Sequence, residues 1–273
     1  MADGVEDHYD NLRPSTCPRS EGVAIQIKQF HNHMKRTLIT HFGSRASTLL
    51  DLACGRGGDL RKWYDAGIKR VVGIDISGRE IEEAKTRLAN LKLTNVTYEF
   101  HKMDVASLGF RVHHTDFDVV TCMFALHYFF KDERSAHHIV RTAAAHLKSG
   151  GYFVGIVPDG LHINECIRQG HVYQNSLMRI EAKWKGPPQC FGSAYTMNII
   201  DTVTDGSKAL EYLVYSNVLR TIAAKYDLEY VSLESIFPGV EAPGRVFAHV
   251  TPPYQGDAAE CTKVFAAFAF RKC

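Results

Sequence analysis

Glycines and carboxylates cluster around one short segment, Leu49 to Leu60, in a pattern that could hold a nucleoside. Gly55, Gly57 and Gly58 follow an apolar run, and glycines permit positive φ and a close approach of a ligand to the backbone. Asp75 stands 20 residues after Gly55, the spacing at which an acid accepts hydrogen bonds from ribose hydroxyls in dinucleotide-binding folds. The segment therefore predicts a strand, a nucleoside-binding turn and a helix start.

The same segment disfavours a diphosphate ligand and favours a cationic one. A pyrophosphate site needs a third small residue where this chain has Leu60, and Asp59 places a negative charge at the helix start where the pyrophosphate would lie. S-adenosylmethionine fits better, with its sulfonium and ammonium near Asp51 and Asp59, its ribose near Asp75 and its adenine near Asp104. The alternative is that Asp59 only begins a helix and Asp75 only ends a strand.

A second group of side chains, His127, Tyr128, Arg56 and Arg87, is expected at the same end of the sheet. His127 and Tyr128 follow a predicted strand, and the carboxyl ends of parallel strands face the ligand site, although an aromatic cluster in the core is the alternative. Arg56 in the turn and Arg87 on the next helix would meet phosphates near the cofactor, or would simply be solvated surface arginines.

Composition limits the other classes of function. The chain has 273 residues and a net charge of +2, which does not support binding of a long nucleic acid through bulk charge. It has no signal region and no apolar run of membrane-spanning length, so no membrane association is expected. Seven cysteines without a Cys-x-x-Cys pair predict reduced thiols in an intracellular protein and no metal site.

Strands and helices are predicted to alternate, which indicates an α/β fold with a parallel sheet in a single domain, 1–273. Residues 1–20 are expected to be a mobile N-terminal segment, with His8-Tyr9-Asp10 as the exception. Residues 159–210 are expected to form an inserted substrate platform. The predicted helices cover 22–42, 59–66, 77–91, 133–147, 162–168 and 211–226. The predicted strands cover 48–52, 70–74, 96–100, 117–123, 152–157, 172–183, 189–198, 228–234 and 264–271.

Several blocks, taken in order along nearly the whole chain, resemble the messenger RNA cap guanine-N7 methyltransferases. The blocks are His8-Tyr9-Asp10, Phe30 to Ile39, Leu50 to Leu60, Phe124 to Phe129, Gly150 to Pro158, Glu211 to Tyr215 and Phe268-Ala269-Phe270. The resemblance implies a class I methyltransferase fold, Rossmann-like and doubly wound, with a seven-stranded sheet, a reversed last strand and a cap-binding insertion. It implies methyl transfer from S-adenosylmethionine to guanine N7 of a 5′ GpppN cap, leaving S-adenosylhomocysteine and using no metal.

The resemblance also assigns roles to individual residues. Because guanine N7 carries no proton, no acid or base is expected, and His127, Tyr128 and Glu211 would position the reactants. The positions that match the family's cofactor site are Lys35, Asp51, Gly55, Asp59, Asp75, Asp104, Met123 and Tyr128. The positions at or beside its cap site are Asn32, Arg56, Arg87, His127, Tyr128, Pro158, Glu211 and Phe265. The implied partners are capped RNA and either other capping enzymes (triphosphatase, guanylyltransferase) or RNA polymerase II. The protein is expected to be a monomer. It is expected in the nucleus, with the cytoplasm as the alternative.

Four positions depart from the family pattern. Ala53 replaces a glycine, Arg56 a lysine, Met123 an adenine-side glutamine and Phe265 a tyrosine expected to stack near the base. Arg56 keeps the charge but changes the phosphate geometry, and Phe265 keeps stacking but lacks a hydroxyl. Two other functions stay open at this point: a small-molecule S-adenosylmethionine methyltransferase, and a non-catalytic cap-binding or activator subunit.

Overall fold

The central sheet is built on apolar strands that are buried on both faces. In the computed structural model, which describes residues 5–11, 22–107, 110–202, 209–238 and 245–273, Leu49 and Leu50 of the first strand have no exposed surface. Strands buried on both faces need helices above and below, as the predicted alternation of strand and helix requires. The helices are α1 Val5–Asp10, α2 Ile25–Gly43, α3 Leu60–Asp65, α4 Gly78–Leu91, α5 Glu133–His146, α6 Gly160–Ile167, α7 Ser216–Ala224 and α8 Asp257–Lys263. The strands are β1 Thr48–Asp51, β2 Arg70–Asp75, β3 Thr97–Lys102, β4 Phe117–Met123, β5 Leu147–Pro158, β6 Val172–Gln174, β7 Met178–Ala182, β8 Ala194–Ile199, β9 Glu211–Tyr212, β10 Leu228–Tyr230 and β11 Phe265–Lys272.

Seven strands form the central sheet in the order β10-β11-β5-β4-β1-β2-β3. The pairs from β5 to β3 are parallel, whereas β11 is antiparallel to both β5 and β10. The strand order reverses beside β1, so a crevice opens at the carboxyl ends of β1 and β4. The predicted doubly wound seven-stranded sheet with a reversed last strand is confirmed.

A second, antiparallel sheet with the order β6-β7-β8-β9 follows the central strands β1 to β5. Its inward side chains, among them Ile180, Tyr195 and Met197, belong to the same buried cluster as Leu49 of β1. The sheet reaches Tyr212, beyond the predicted limit of the 159–210 insertion. It therefore packs directly against the central unit, at the side where the crevice lies.

Glu211 lies on a strand, so the predicted helix over 211–226 is wrong for its first residues. β9 pairs with β8, with Tyr195 opposite Glu211, and the helix α7 begins only at Ser216. The apolar spacing of this segment resembles a helix, but pairing with a distant strand decides its local structure. Strand β10 is also shorter than predicted, since it ends at Tyr230.

Part of the N-terminal segment is helical instead of extended. Helix α1 is held by Glu6, which pairs with Lys102 at 2.6 Å, and by Asp10, whose carboxylate accepts a hydrogen bond from Ser77. Residues 1–4 and 12–20 lie outside the described part of the chain.

Candidate active site

The turn between β1 and α3 is shaped by two glycines and tied to the end of β2. Gly55 and Gly57 have φ of +49° and +69°, values that a residue with a side chain rarely adopts. The N–H of Gly55 donates to Asp75 Oδ2 at 2.8 Å, which fixes the turn against β2. Gly58 does not adopt a positive φ, so it does not use the conformational freedom that a glycine permits.

A pocket of about 440 Å³ opens above this turn, within the range of small-molecule sites. It lies at the carboxyl ends of β1, β2 and β4, and residues of α1, α2 and β9 form its other walls. The predicted cofactor residues that line it are Lys35, Gly55, Asp75, Asp104, Met123 and Tyr128. The predicted cap residues that line it are Asn32, Arg56, Arg87, His127, Tyr128, Glu211 and Phe265.

Three of the predicted site residues, Asp51, Asp59 and Pro158, do not line the pocket. Asp51 is 1% exposed, its carboxylate accepts the N–H of Ala53 at 3.1 Å, and burial raises its pKa to about 7. Pro158 is buried at the end of β5, directly opposite Phe265 of β11.

Asp59 lies between two lysines behind the pocket wall. Its carboxylate lies 2.5 Å from the Lys35 ammonium and 2.8 Å from that of Lys62, which is itself 5% exposed. Burial alone would raise the pKa of Asp59, but the two ammonium groups outweigh it and hold the pKa below its usual value. Asp59 thus fixes Lys35, and Lys35 is the charged group that reaches the pocket.

The end of the pocket beside β2 and β4 fits a nucleoside with a cationic tail. The carboxylate of Asp75 accepts hydrogen bonds from the backbone N–H groups of Gly55 and Ser77, and burial raises its pKa. Asp104 accepts the N–H of Ala106 at 2.8 Å and faces the same space. Carboxylates suit ribose hydroxyls and an amino group, and the apolar side chains between them suit a flat base: Ile76, Met103, Val105 and Met123.

The opposite end holds a buried imidazole and a buried carboxylate that do not satisfy each other. Nε2 of His127 lies 3.6 Å from Oε2 of Glu211, beyond hydrogen-bond distance. Both ring nitrogens of His127 and Oε2 of Glu211 are buried without a hydrogen-bond partner among the described residues. Burial raises the pKa of Glu211 to about 8 and lowers that of His127 to about 3. Leaving such groups unpaired costs about 1–3 kcal/mol each, so the arrangement is suited to a polar ligand that pairs with them.

Tyr128 lies between the two ends of the pocket. Its ring is 4.2 Å from the ring of His127, and its hydroxyl lies 3.2 Å from the hydroxyl of Tyr9 on α1. Burial raises the pKa of Tyr9 to about 12 and that of Tyr128 well above its usual value, so both phenols are neutral. Helix α1 therefore closes the pocket through a phenol pair.

Aromatic rings form the wall beside the buried pair. The ring of Phe265 meets His31 edge-on at 4.7 Å and Phe124 at 5.3 Å. Phe124 has φ of +60°, an uncommon backbone conformation that aims its ring into the pocket. Asn32 lies on the rim, where its amide donates to the carbonyl of Lys28 at 3.0 Å.

Both predicted phosphate arginines are already paired. Arg56 donates from Nε and Nη2 to the carboxylate of Glu80 at 3.0 and 2.8 Å, and Arg87 pairs with Glu83 one turn away on α4. Arg56 Nη1 also lies 3.6 Å from Glu83. Both arginines line the pocket, as the sequence predicts. Their pairing with Glu80 and Glu83 was not predicted.

Tyr9, His31 and Glu80 line the pocket although no site role was predicted for them. His31 precedes Lys35 by four residues on a helix, so the helical period places both on one face, and that signal could have found it. Tyr9 and Glu80 depend on contacts across the fold, which spacing alone does not reveal. Among the described residues, no group of His, Cys, Asp and Glu side chains is arranged to hold a metal ion, and no helix is long and apolar enough to cross a membrane.

Comparison with known proteins identifies sequence relatives over most of the chain. Residues 1–238 match the family model of the mRNA (guanine-N(7))-methyltransferase domain. The mRNA cap guanine-N(7) methyltransferase of Caenorhabditis elegans is 30% identical over 88% of this chain and 69% of its own length. The mRNA cap guanine-N(7) methyltransferase 1 of Arabidopsis thaliana is 31% identical over 85% of this chain and 66% of its own length. The mRNA cap guanine-N(7) methyltransferase of Saccharomyces cerevisiae is 29% identical over 84% of this chain and 57% of its own length.

Solved structures are similar in fold at low sequence identity. A putative S-adenosylmethionine-dependent methyltransferase from Listeria monocytogenes has a TM-score of 0.59 at 17% identity, covering 92% of this chain and 98% of its own. The N-methyltransferase NodS from Bradyrhizobium japonicum, in complex with S-adenosyl-L-homocysteine, has a TM-score of 0.56 at 15% identity, covering 97% and 96%. The fold is that of the class I S-adenosylmethionine-dependent methyltransferases.

Proposed function

This chain belongs to the mRNA cap guanine-N7 methyltransferase family, a class of S-adenosylmethionine-dependent enzymes, and we propose that it methylates N7 of the guanine at the 5′ GpppN end of RNA. One observation supports this most: a single pocket joins the carboxylates at the ends of β2 and β3 to the buried, unpaired His127 and Glu211. The first end suits the donor, and the second suits the edge of a purine.

The donor supplies an electrophilic methyl group on a positively charged sulfur. N7 attacks with its own lone pair, the carbon–sulfur bond breaks, its electrons stay on sulfur, and no proton moves. The protein therefore needs no general base, which agrees with a His127 that stays neutral and a Tyr128 that keeps its proton. Its contribution is positioning, which supplies about 7–11 kcal/mol of barrier reduction in well-oriented reactions.

We assign the donor end to the side chains and backbone that line it. Asp75 faces the ribose, Asp104 the adenine, Met123 gives an apolar adenine contact, and Lys35 pairs with the carboxylate of the methionine part. Gly55 allows close approach of the ligand to the turn. Asp51 and Asp59 support this end from behind, Asp59 by holding Lys35.

We assign the cap end to the opposite wall. Glu211 accepts from N1 and the exocyclic amine of guanine, His127 and Tyr128 hold the base in line with the methyl group, and Phe265 packs near it. Arg56 and Arg87 face the triphosphate, and Asn32 lies on the rim. Pro158 contributes indirectly, because it lies opposite Phe265 in the sheet.

Methyl transfer onto a defined RNA tests this function. The protein is incubated with radiolabelled S-adenosylmethionine and GpppN-capped RNA, and the product is digested to locate the label. We expect the label on N7 of the cap guanine and none on an uncapped RNA of the same sequence. Binding of the donor without conversion of capped RNA would instead indicate a non-catalytic cap-binding protein.

The cellular setting follows from the substrate. Capped RNA is the proposed partner, and we propose action in the nucleus, where transcripts are capped, alongside other capping enzymes or RNA polymerase II. The protein acts as a monomer in this proposal, because one chain carries both ends of the pocket.

A further inference from the structure

Alternating charges line the mouth of the pocket. Glu80, Arg56 and Arg87 line the pocket, and Glu83 lies beside the two arginines; in the order Glu80, Arg56, Glu83 and Arg87, consecutive members are in contact or nearly so. Two guanidinium groups and two carboxylates sum to zero charge. This cluster of four side chains is thus electrically neutral before any ligand arrives.

The first carboxylate is held firmly, for a reason that lies in the start of α4. Ser77 is the N-cap residue, and its hydroxyl accepts the N–H of Glu80 at 3.1 Å. A Glu in this position commonly returns a hydrogen bond to the N–H of the capping serine. Here Asp75 Oδ1 already accepts that N–H at 3.0 Å, so the carboxylate of Glu80 is available to bind Arg56 with both oxygens.

The second carboxylate is held less firmly. The Glu83 side chain is 36% exposed, against 6% for Glu80, and it lies 3.6 Å from Arg56. Its partner Arg87 is four residues further along the same helix, and exposed pairs of that kind contribute only about 0.3–0.5 kcal/mol. A change of side-chain rotamer can release Glu83 into solvent.

Arg56 has hydrogen-bond donors to spare. A guanidinium carries five N–H groups, and Glu80 occupies one on Nε and one on Nη2. The others face Glu83 and the pocket, in the planar arrangement that matches phosphate oxygens. Arg56 can therefore keep Glu80 and exchange Glu83 for a phosphate.

We propose that Glu83 is a specificity-determining residue that competes with phosphate for Arg56 and Arg87, while Glu80 positions Arg56. This inference rests on the proposed function, in which the two arginines face the cap triphosphate. A phosphate monoester carries a charge of about −1.5 to −2, so it gains at most about one unit of negative charge over the carboxylate that it replaces. A triphosphate bridge carries more negative charge than the Glu83 carboxylate that it displaces. The mouth of the pocket therefore favours a cap over a guanine nucleotide with one phosphate.

Calorimetry with three ligands tests the proposal in the presence of S-adenosylhomocysteine. The ligands are GpppA, GMP and guanosine, and the variants are E83Q, E80Q and E82Q. Glu82 is the matched control, because it lies on the same helix, 72% exposed, and pairs with Lys85 on the helix surface. Each variant removes one negative charge from α4, so a general field effect would move all three in the same direction.

We expect E83Q to bind GpppA about two- to fivefold more tightly, the size of effect expected from removal of a half-exposed ion pair. E83Q should also prefer GMP to guanosine more strongly than the wild type does. E80Q should weaken GpppA binding by a similar factor because Arg56 loses its orienting partner. E82Q should resemble the wild type.

Equal effects of E83Q and E82Q, or weaker binding of GpppA by E83Q, would overturn the proposal. Tighter binding of GpppA by all three variants would show that the effect comes from the total charge of α4 and not from the position of Glu83, and it would also overturn the proposal. If the wild type does not methylate GpppA-capped RNA, the proposed function fails. If it does, but the variants show one of these contradicting outcomes, only the role of Glu83 fails.

Discussion

The two halves of the proposed cap site differ in burial and in how their polar groups are paired. At the guanine end, His127 and Glu211 are 3% exposed and present polar atoms with no hydrogen-bond partner among the described residues. At the phosphate end, Arg56 and Arg87 are 23% and 28% exposed and each is paired with a carboxylate. The guanine end has unpaired polar groups that are shielded from water. The phosphate end has ion-paired groups that are partly exposed to water.

This difference predicts where specificity and affinity come from. Unpaired buried groups strongly reject a ligand that cannot pair with them, since the unfavourable desolvation then persists. Partly exposed arginines that exchange one anion for another gain little net free energy. Substitutions at the guanine end should therefore have large effects, and those at the phosphate end small ones.

Replacing Glu211 by Ala should have the largest effect. It removes two hydrogen bonds to a charged acceptor, each worth about 1.5–3 kcal/mol, so affinity for GpppA should fall about 100-fold or more. Binding of S-adenosylmethionine should persist, because Glu211 lies at the other end of the pocket. Calorimetry with both ligands on the folded variant measures this; equal loss of both would contradict the assignment.

The affinity for the cap should also depend on pH through Glu211. Burial raises the pKa of Glu211 to about 8, and guanine needs the ionised carboxylate, so affinity should fall roughly tenfold per unit as pH drops from 8. The neighbouring groups do not interfere: His127 is already neutral, and Tyr9, Tyr128 and Tyr195 keep their protons. The Glu211→Gln variant should lose this dependence.

The same group affects stability with a definite sign. Between pH 4.5, the ordinary pKa of a glutamate, and about 8, the unfolded chain ionises Glu211 while the folded chain does not. The free energy of unfolding of the wild type, relative to Glu211→Gln, should therefore fall across this window and level off above it. Denaturant unfolding of both proteins at several pH values checks the sign, and a rise across the window would be inconsistent with a buried, protonated Glu211.

Replacing His127 by Ala should have an intermediate effect. The imidazole packs on Tyr128 and fixes the base, so its loss should lower kcat about 10- to 100-fold through misplacement of N7. Single-turnover methyl transfer at saturating cap separates this from weaker binding. An unchanged rate would make His127 peripheral.

Replacing Arg56 by Lys should have the smallest effect. Lysine keeps the charge but cannot engage Glu80 with two parallel hydrogen bonds, so the KM for capped RNA should rise about three- to tenfold with little change in kcat. Steady-state kinetics measures the split. A loss as large as that of Glu211→Ala would break the contrast between the two ends.

The main sheet could be predicted from the sequence because its signals are local. The apolar run before Gly55 and the cap at Ser77 each mark a boundary within a few residues. Strand β5, by contrast, begins at Leu147, before its predicted start at 152. The positions of Asp75, Asp104 and His127 followed from the rule that strand ends meet at one edge of the sheet.

The environment of each site residue could not be predicted in the same way. Glu211 lies on a strand because Tyr195 pairs with it, and Arg56 is held by Glu80, 24 residues away. Asp59 and Asp51 were expected to face a cation but lie behind the wall, where Lys35 intervenes. Such contacts depend on how distant segments meet, which residue spacing does not encode.

Strand β11 has a consequence for how the pocket is made during synthesis. It lies between β5 and β10, both of which precede it in the chain, and its first residue, Phe265, lines the guanine end of the pocket. The donor end is built from β1 to β4, all translated more than a hundred residues earlier. A nascent chain can therefore assemble the donor half before it leaves the ribosome, whereas the base half waits for the last strand to insert.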